Sequence, residues 1–164
     1  MKRRLIGAWI TVLLSLLLAS FSGCKKEYTA PNFTVLNDKL KEVELEDFIG
    51  KPIVLNFWAT WCYYCTLEMP DFEAAYEAHG DDVVFLMVNA TDGRNETVAK
   101  AKAYIDEMGY GFPVYYDTAL EAVNAYDITG FPSTFFIDKN GDVVASKVGM
   151  ISAEALEEGI KLIK

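Results

Sequence analysis

The sequence predicts an α/β domain whose central sheet is covered by helices on both faces, and three observations lead there. Two continuous apolar runs, Ile53 to Trp58 and Val83 to Asn89, have the length and composition of strands buried on both sides. Each run precedes a segment of helical period, as strand–helix units require. The chain then closes with two β-type runs around a turn, Thr134 to Ile137 and Val143 to Val148, and a last helical segment. Its 164 residues are 52% hydrophobic and 24% charged, which excludes a disordered chain and suits one domain.

The first element is not part of that domain. Lys2, Arg3 and Arg4 precede an uncharged stretch from Leu5 to Cys24, a basic n-region followed by an apolar h-region. No face of this stretch is polar, so an amphipathic core helix does not fit. Its end, Phe21-Ser22-Gly23-Cys24, resembles the lipobox of bacterial lipoproteins, with Phe21 where Leu is usual. That resemblance implies lipidation of Cys24. The alternative is an uncleaved transmembrane helix, for which about 20 residues suffice. Residues 1–23 are therefore expected to be a lipoprotein-type signal peptide or membrane anchor, 24–31 a tether and 32–164 the domain. Either anchor puts the domain on the outer face of the cytoplasmic membrane. All 24 acidic residues lie beyond Gly23, so that part carries about −12. Phosphates would repel it, and no nucleic-acid partner is expected.

Within the domain, Phe33 to Leu36 and Val43 to Leu45 flank Asn37-Asp38 and read as an added N-terminal hairpin. A helix is expected from Cys62 to about His79, with Leu67, Phe72, Ala75 and Tyr76 on one face and a kink at Pro70. Asn95 can cap a second helix, with Val98, Ala101, Ile105 and Met108 on one face, that ends at Gly109. Thr118 to Glu121 reads as a capping box opening a short helix. Asn140-Gly141 favours a tight turn between the last two strands. Ser152 starts the final helix, through Ile160.

The chemistry lies in Cys62 and Cys65, placed between a strand and a helix. A cysteine at a helix N-terminus meets unpaired N–H groups and the positive end of the dipole, which favour thiolate over thiol. A second cysteine one turn later is close enough to attack a mixed disulfide formed by the first. Other uses fit less well. A zinc site needs about four ligands, and beyond Cys24 the chain offers two cysteines and one histidine, His79. Haem attachment needs His after the second cysteine, where Thr66 stands. A structural disulfide closing so short a loop constrains the unfolded chain little. No metal and no cofactor are expected.

The segment Phe57-Trp58-Ala59-Thr60-Trp61-Cys62-Tyr63-Tyr64-Cys65 resembles the thioredoxin active site. Phe131-Pro132-Ser133-Thr134 resembles that family's cis-proline loop, and Lys147-Val148-Gly149 its final loop beside the dithiol. Pro70 matches its helix-kinking proline. With the hairpin and the anchor, the chain is similar to the TlpA/ResA group of membrane-tethered thioredoxin-like proteins. The resemblance implies a thioredoxin fold, a central mixed sheet with an added N-terminal hairpin, and a redox-active Cys62–Cys65 disulfide. It makes Cys62 the attacking thiol, Cys65 the buried resolving one, and Pro132 cis. It also implies a client groove bordered by Trp61, Tyr63, Phe131, Pro132 and Gly149. Asn56 stands where thioredoxin has a proton-accepting aspartate. Glu68, three residues after Cys65 and on its helical face, matches a glutamate of the TlpA/ResA group and is the expected replacement.

The expected function is thiol–disulfide exchange, reducing exported proteins with electrons from an integral-membrane thiol carrier of the CcdA type. Apocytochrome c, before haem attachment, is among the implied clients. One alternative uses the same site to donate disulfides. Another is a thiol peroxidase of the peroxiredoxin kind, whose pattern needs a Thr three residues before the cysteine and a helper Arg. Ala59 occupies that place, and Arg94 is the one arginine beyond Cys24. A binding module using the groove alone predicts that Cys62→Ser leaves function intact.

Overall fold

The computed structural model describes residues 29–164; the expected signal or anchor, Cys24 and most of the tether lie outside them. Seven strands form one mixed sheet: β1 (Thr34–Leu36), β2 (Glu42–Glu44), β3 (Ile53–Trp58), β4 (Val84–Asn89), β5 (Val114–Tyr116), β6 (Ser133–Ile137) and β7 (Val143–Val148). Their order is β2-β1-β5-β4-β3-β6-β7. Strands β3, β4 and β5 run parallel, while β1, β2, β6 and β7 pair antiparallel with their neighbours. The helices are α1 (Tyr63–His79), α2 (Val98–Met108), α3 (Glu121–Ala125) and α4 (Ala153–Ile163).

Alternation along β3 sets the two layers. Val54 and Trp58 point into a core closed by α1, α2 and α4, through Phe72, Ala101 and Ile160 among others. Ile53, Leu55 and Phe57 point into a second core closed by α3, the hairpin and the short 3-10 turn Leu45–Phe48. All six residues of β3 are buried, as a central strand flanked on both faces must be. The expected helices on both faces and added hairpin are both present.

Several local expectations are corrected. Leu67 is exposed, because α1 buries Cys65, Glu68, Met69, Phe72 and Ala75 instead. Met108 is likewise exposed on α2. That helix is capped by Thr97, whose hydroxyl accepts from Lys100 N, and not by Asn95; the Asn95 amide donates to Asp92 instead. Thr118 caps nothing. The buried Asp117 carboxylate accepts from Glu121 N (2.8 Å) and Val123 N (2.9 Å) and holds the start of α3. Ser152 caps α4, which continues to Ile163. The turn between β6 and β7 is a three-residue loop closed by Asp138 N donating to Asp142 O, with Gly141 at φ +85°.

The chain enters the domain at that turn. Val143 N donates to Thr29 Oγ1 (2.8 Å) and Ala30 N to Gly141 O (3.1 Å), so these two tether residues are hydrogen-bonded to it. Because Ile137 pairs with Ile53, this is the end of β3 opposite the one that leads to Cys62.

Candidate active site

Strand β3 ends at Trp58, and three residues carry the chain to Cys62 at the start of α1. Cys62 N donates to Ala59 O, which turns the backbone into the helix. Cys62 is the N-cap residue, with extended backbone, and its Sγ accepts from Cys65 N at 3.2 Å. The sulfur thus occupies the place where Ser or Asp usually caps a helix and meets an otherwise unpaired amide. Cys62 and Cys65 are joined as a disulfide. Cys65 is fully buried and Cys62 6% exposed, so an incoming partner reaches Cys62 first.

Below the dithiol lies Glu68, which is buried, not solvated as a charged residue on a helix usually is. Its Oε1 accepts from Asn56 Nδ2 (2.9 Å) and its Oε2 from Ile151 N (2.9 Å). Asn56 also donates to Thr134 Oγ1 (3.1 Å). The network therefore ties α1 to β3, β6 and the loop before α4. Burial pushes the carboxyl up from its ordinary 4.5 to about 7; the Ile151 and Asn56 hydrogen bonds oppose that, and Asp71 adds to it. A group that changes charge near neutrality sits one helical turn from Cys65.

The remaining expected site residues lie at the same end of the sheet, since Ser133 pairs with Phe57 near the end of β3 that leads to Cys62. The Phe131–Pro132 bond is cis. Pro132 O accepts from Gly149 N at 2.8 Å, joining the two loops beside the dithiol. Gly149 takes φ +85°, a conformation that side chains resist. Trp61 and Tyr63 are 57% and 68% exposed, and Trp61 meets the half-buried Phe131 edge to face at 5.6 Å. These aromatics form a surface, whereas Phe57 and Trp58 are core. His79, at the far end of α1, pairs with Glu157 at 3.0 Å.

Glu96 was not anticipated. It is fully buried, and its Oε2 accepts from Thr60 N (3.2 Å) and Thr60 Oγ1 (2.6 Å), its Oε1 from Asn89 Nδ2 (2.9 Å). It fixes the residue before Trp61 from a loop 36 positions away. Nothing in a single sequence marks such a reach.

The sequence profile of the AhpC/TSA family matches residues 27–146. The chain belongs to the AhpC/TSA family. Among individual members, thiol-disulfide oxidoreductase ResA of Bacillus thuringiensis subsp. konkukian is 37% identical over 134 residues, 82% of this chain and 76% of that protein. A solved structure of a putative thiol:disulfide interchange protein DsbE from Chlorobium tepidum superposes with a TM-score of 0.74. It is 27% identical and covers 85% of this chain and 97% of its own. The exposed lipoprotein thioredoxin of Streptococcus pneumoniae superposes at 0.70, with 29% identity and coverage of 80% and 98%. This AhpC/TSA member thus has a thioredoxin fold and is a ResA-like thiol–disulfide oxidoreductase, as the resemblance implied.

Proposed function

We propose that the protein is a membrane-tethered reductant of exported proteins, held on the outer face of the cytoplasmic membrane by the segment ending at Cys24. The observation that carries the direction of electron flow is Glu68. A dithiol oxidises its partners when its own thiolate form is stabilised. Here a buried carboxyl with a pKa of about 7 lies one turn from Cys65, and once negative it opposes a second anion. That disfavours the reduced pair relative to the disulfide, so the couple gives electrons away.

In the exchange, the reduced Cys62 thiolate attacks a client disulfide and one client sulfur leaves, taking up a proton. Cys65, its proton passed toward the Glu68 carboxylate, then attacks Cys62 Sγ. The second client thiol departs and the Cys62–Cys65 disulfide closes, with two electrons transferred. The groove of Trp61, Tyr63, Phe131, Pro132 and Gly149 receives the client segment. On this reading electrons return through an integral-membrane thiol carrier of the CcdA type, and apocytochrome c is a proposed client, the role being cytochrome c maturation. The lipobox-like end at Cys24 and the likeness to an exposed lipoprotein thioredoxin support the anchored reading.

Two measurements test it. Cys65→Ser traps clients on Cys62, and exported proteins with paired cysteines are expected among them; capture of none refutes the enzyme reading. The couple's potential is expected nearer thioredoxin's value of about −270 mV than the roughly −120 mV of a strong oxidant. A value at the oxidising end reverses the flow and makes the protein a disulfide donor.

A further inference from the structure

Beside the groove lies a second, open cavity of about 500 Å³ lined by Trp61, Arg94, Asn95 and Lys100. No lining residue is acidic, in a chain whose net charge is −9. Arg94 is exposed, and its guanidinium forms no ion pair among the described residues. Lys100 Nζ donates to Asn95 O (2.8 Å), which leaves two of its three N–H donors. The nearby Asp92 carboxylate is turned into its own loop, where it accepts from Arg94 N (2.7 Å), Glu96 N (2.9 Å) and Asn95 Nδ2 (3.3 Å). The same loop is anchored through Glu96 to Thr60, the residue before Trp61, which ties its backbone to the segment leading to Cys62.

The geometry points to a specificity pocket for an acidic side chain of the client, an Asp or Glu flanking the disulfide under attack. The proposal rests on the reduction of protein disulfides set out above. A client strand laid over Trp61 to reach Cys62 has its neighbouring residues next to Arg94 and Lys100. A planar guanidinium beside a point-charge ammonium matches a carboxylate, through paired hydrogen bonds from the first and charge from the second. Elsewhere the acidic surface repels such a client, so attraction confined to this cavity also sets the direction in which the strand lies.

The test uses three oxidised peptides of one sequence that carry Glu, Gln or Lys beside the attacked cysteine. Rates with the reduced protein are each divided by the rate of the same peptide with dithiothreitol, which removes the peptide's own reactivity. The Glu-to-Gln ratio is expected to be about fivefold at low salt, the upper range for an exposed pair, and to shrink at high salt. Arg94→Ala and Lys100→Ala should each lower that ratio, and Arg94→Glu should invert the preference toward Lys. A ratio near one in the unaltered protein, or one that neither alanine variant moves, overturns the pocket. Failure of the unaltered protein to reduce any of the three overturns the reductant reading itself, a distinct result.

Discussion

Replacing Glu68 by Gln should change how stability depends on pH more than it changes stability at any one pH. In the fold this carboxyl titrates at about 7 instead of 4.5. Below about pH 4.5 both the folded and unfolded chains keep the proton, and the group contributes no pH dependence. As pH rises further, the unfolded chain releases its proton first, so stability falls until the folded group also ionises near 7, and then levels. Each tenfold in proton affinity is about 1.4 kcal/mol, so the loss across this window is about 3 kcal/mol. With a urea slope of roughly 2 kcal/mol per molar, the midpoint should drop by about 1.5 M between pH 4.5 and 7.5. Glu68→Gln removes this fall. It keeps one acceptor but faces Asn56 Nδ2 or Ile151 N with an NH₂ group, costing about 1–3 kcal/mol at pH 4.5. The two profiles should therefore converge near neutrality. Urea melts of the oxidised protein are the assay, since neither cysteine titrates in the disulfide. Asp117, also raised by burial, acts in both proteins and cancels in the difference. A wild-type profile that falls no more than the variant's refutes the reasoning.

Other expectations follow from the same structure. Asn56→Ala removes a hydrogen bond that lowers the Glu68 pKa, so the Glu68 titration, followed by carboxyl carbon NMR, should move upward; a downward move contradicts the network. Gly159→Ala would put a Cβ 2.2 Å from the Phe136 ring, so a cost of about 1–3 kcal/mol for overpacking outweighs the gain of up to about 1 in helix propensity. Its Tm should fall by several degrees, and a rise would show that the ring yields freely. Asp117→Ala should cost about 2 kcal/mol in urea melts and Thr118→Ala under about 0.5; the reverse order would restore the threonine as the cap of α3.

What the sequence made legible was what short-range physics governs. Strand β3 was readable to its end residues because an apolar run broken only by Asn56 follows directly on Gly50-Lys51-Pro52. Cys62 at the head of α1 was readable because the strand ends and the helix begins within four residues. Errors arose where one residue could do two jobs. Leu67 reads as buried on hydropathy alone, yet it lies about 140° around α1 from Phe72, off the face that packs. Asn95 and Thr97 are both good caps, and the choice went to Thr97 because Asp92 engages the Asn95 amide. Thr118 and Glu121 have capping-box spacing, but Leu120 adopts a left-handed φ of +55° and Asp117 supplies the acceptors. Glu96 and Arg94 lie on the loop after β4, and only the pairing of β3 with β4 brings that loop to Thr60 and Trp61.

The hydrogen bonds of Thr29 and Ala30 to the β6–β7 turn have a consequence for geometry at a surface. Strand β6 is five residues long, so the point of attachment and the reacting sulfur stand at opposite poles, on the order of 17 Å apart along the strand. The dithiol therefore faces away from the point at which Thr29 and Ala30 join the domain. On the anchored reading proposed above, a donor embedded in the bilayer meets Cys62 only when the whole domain tips over. On that reading, reloading and delivery become two orientations of one rigid body.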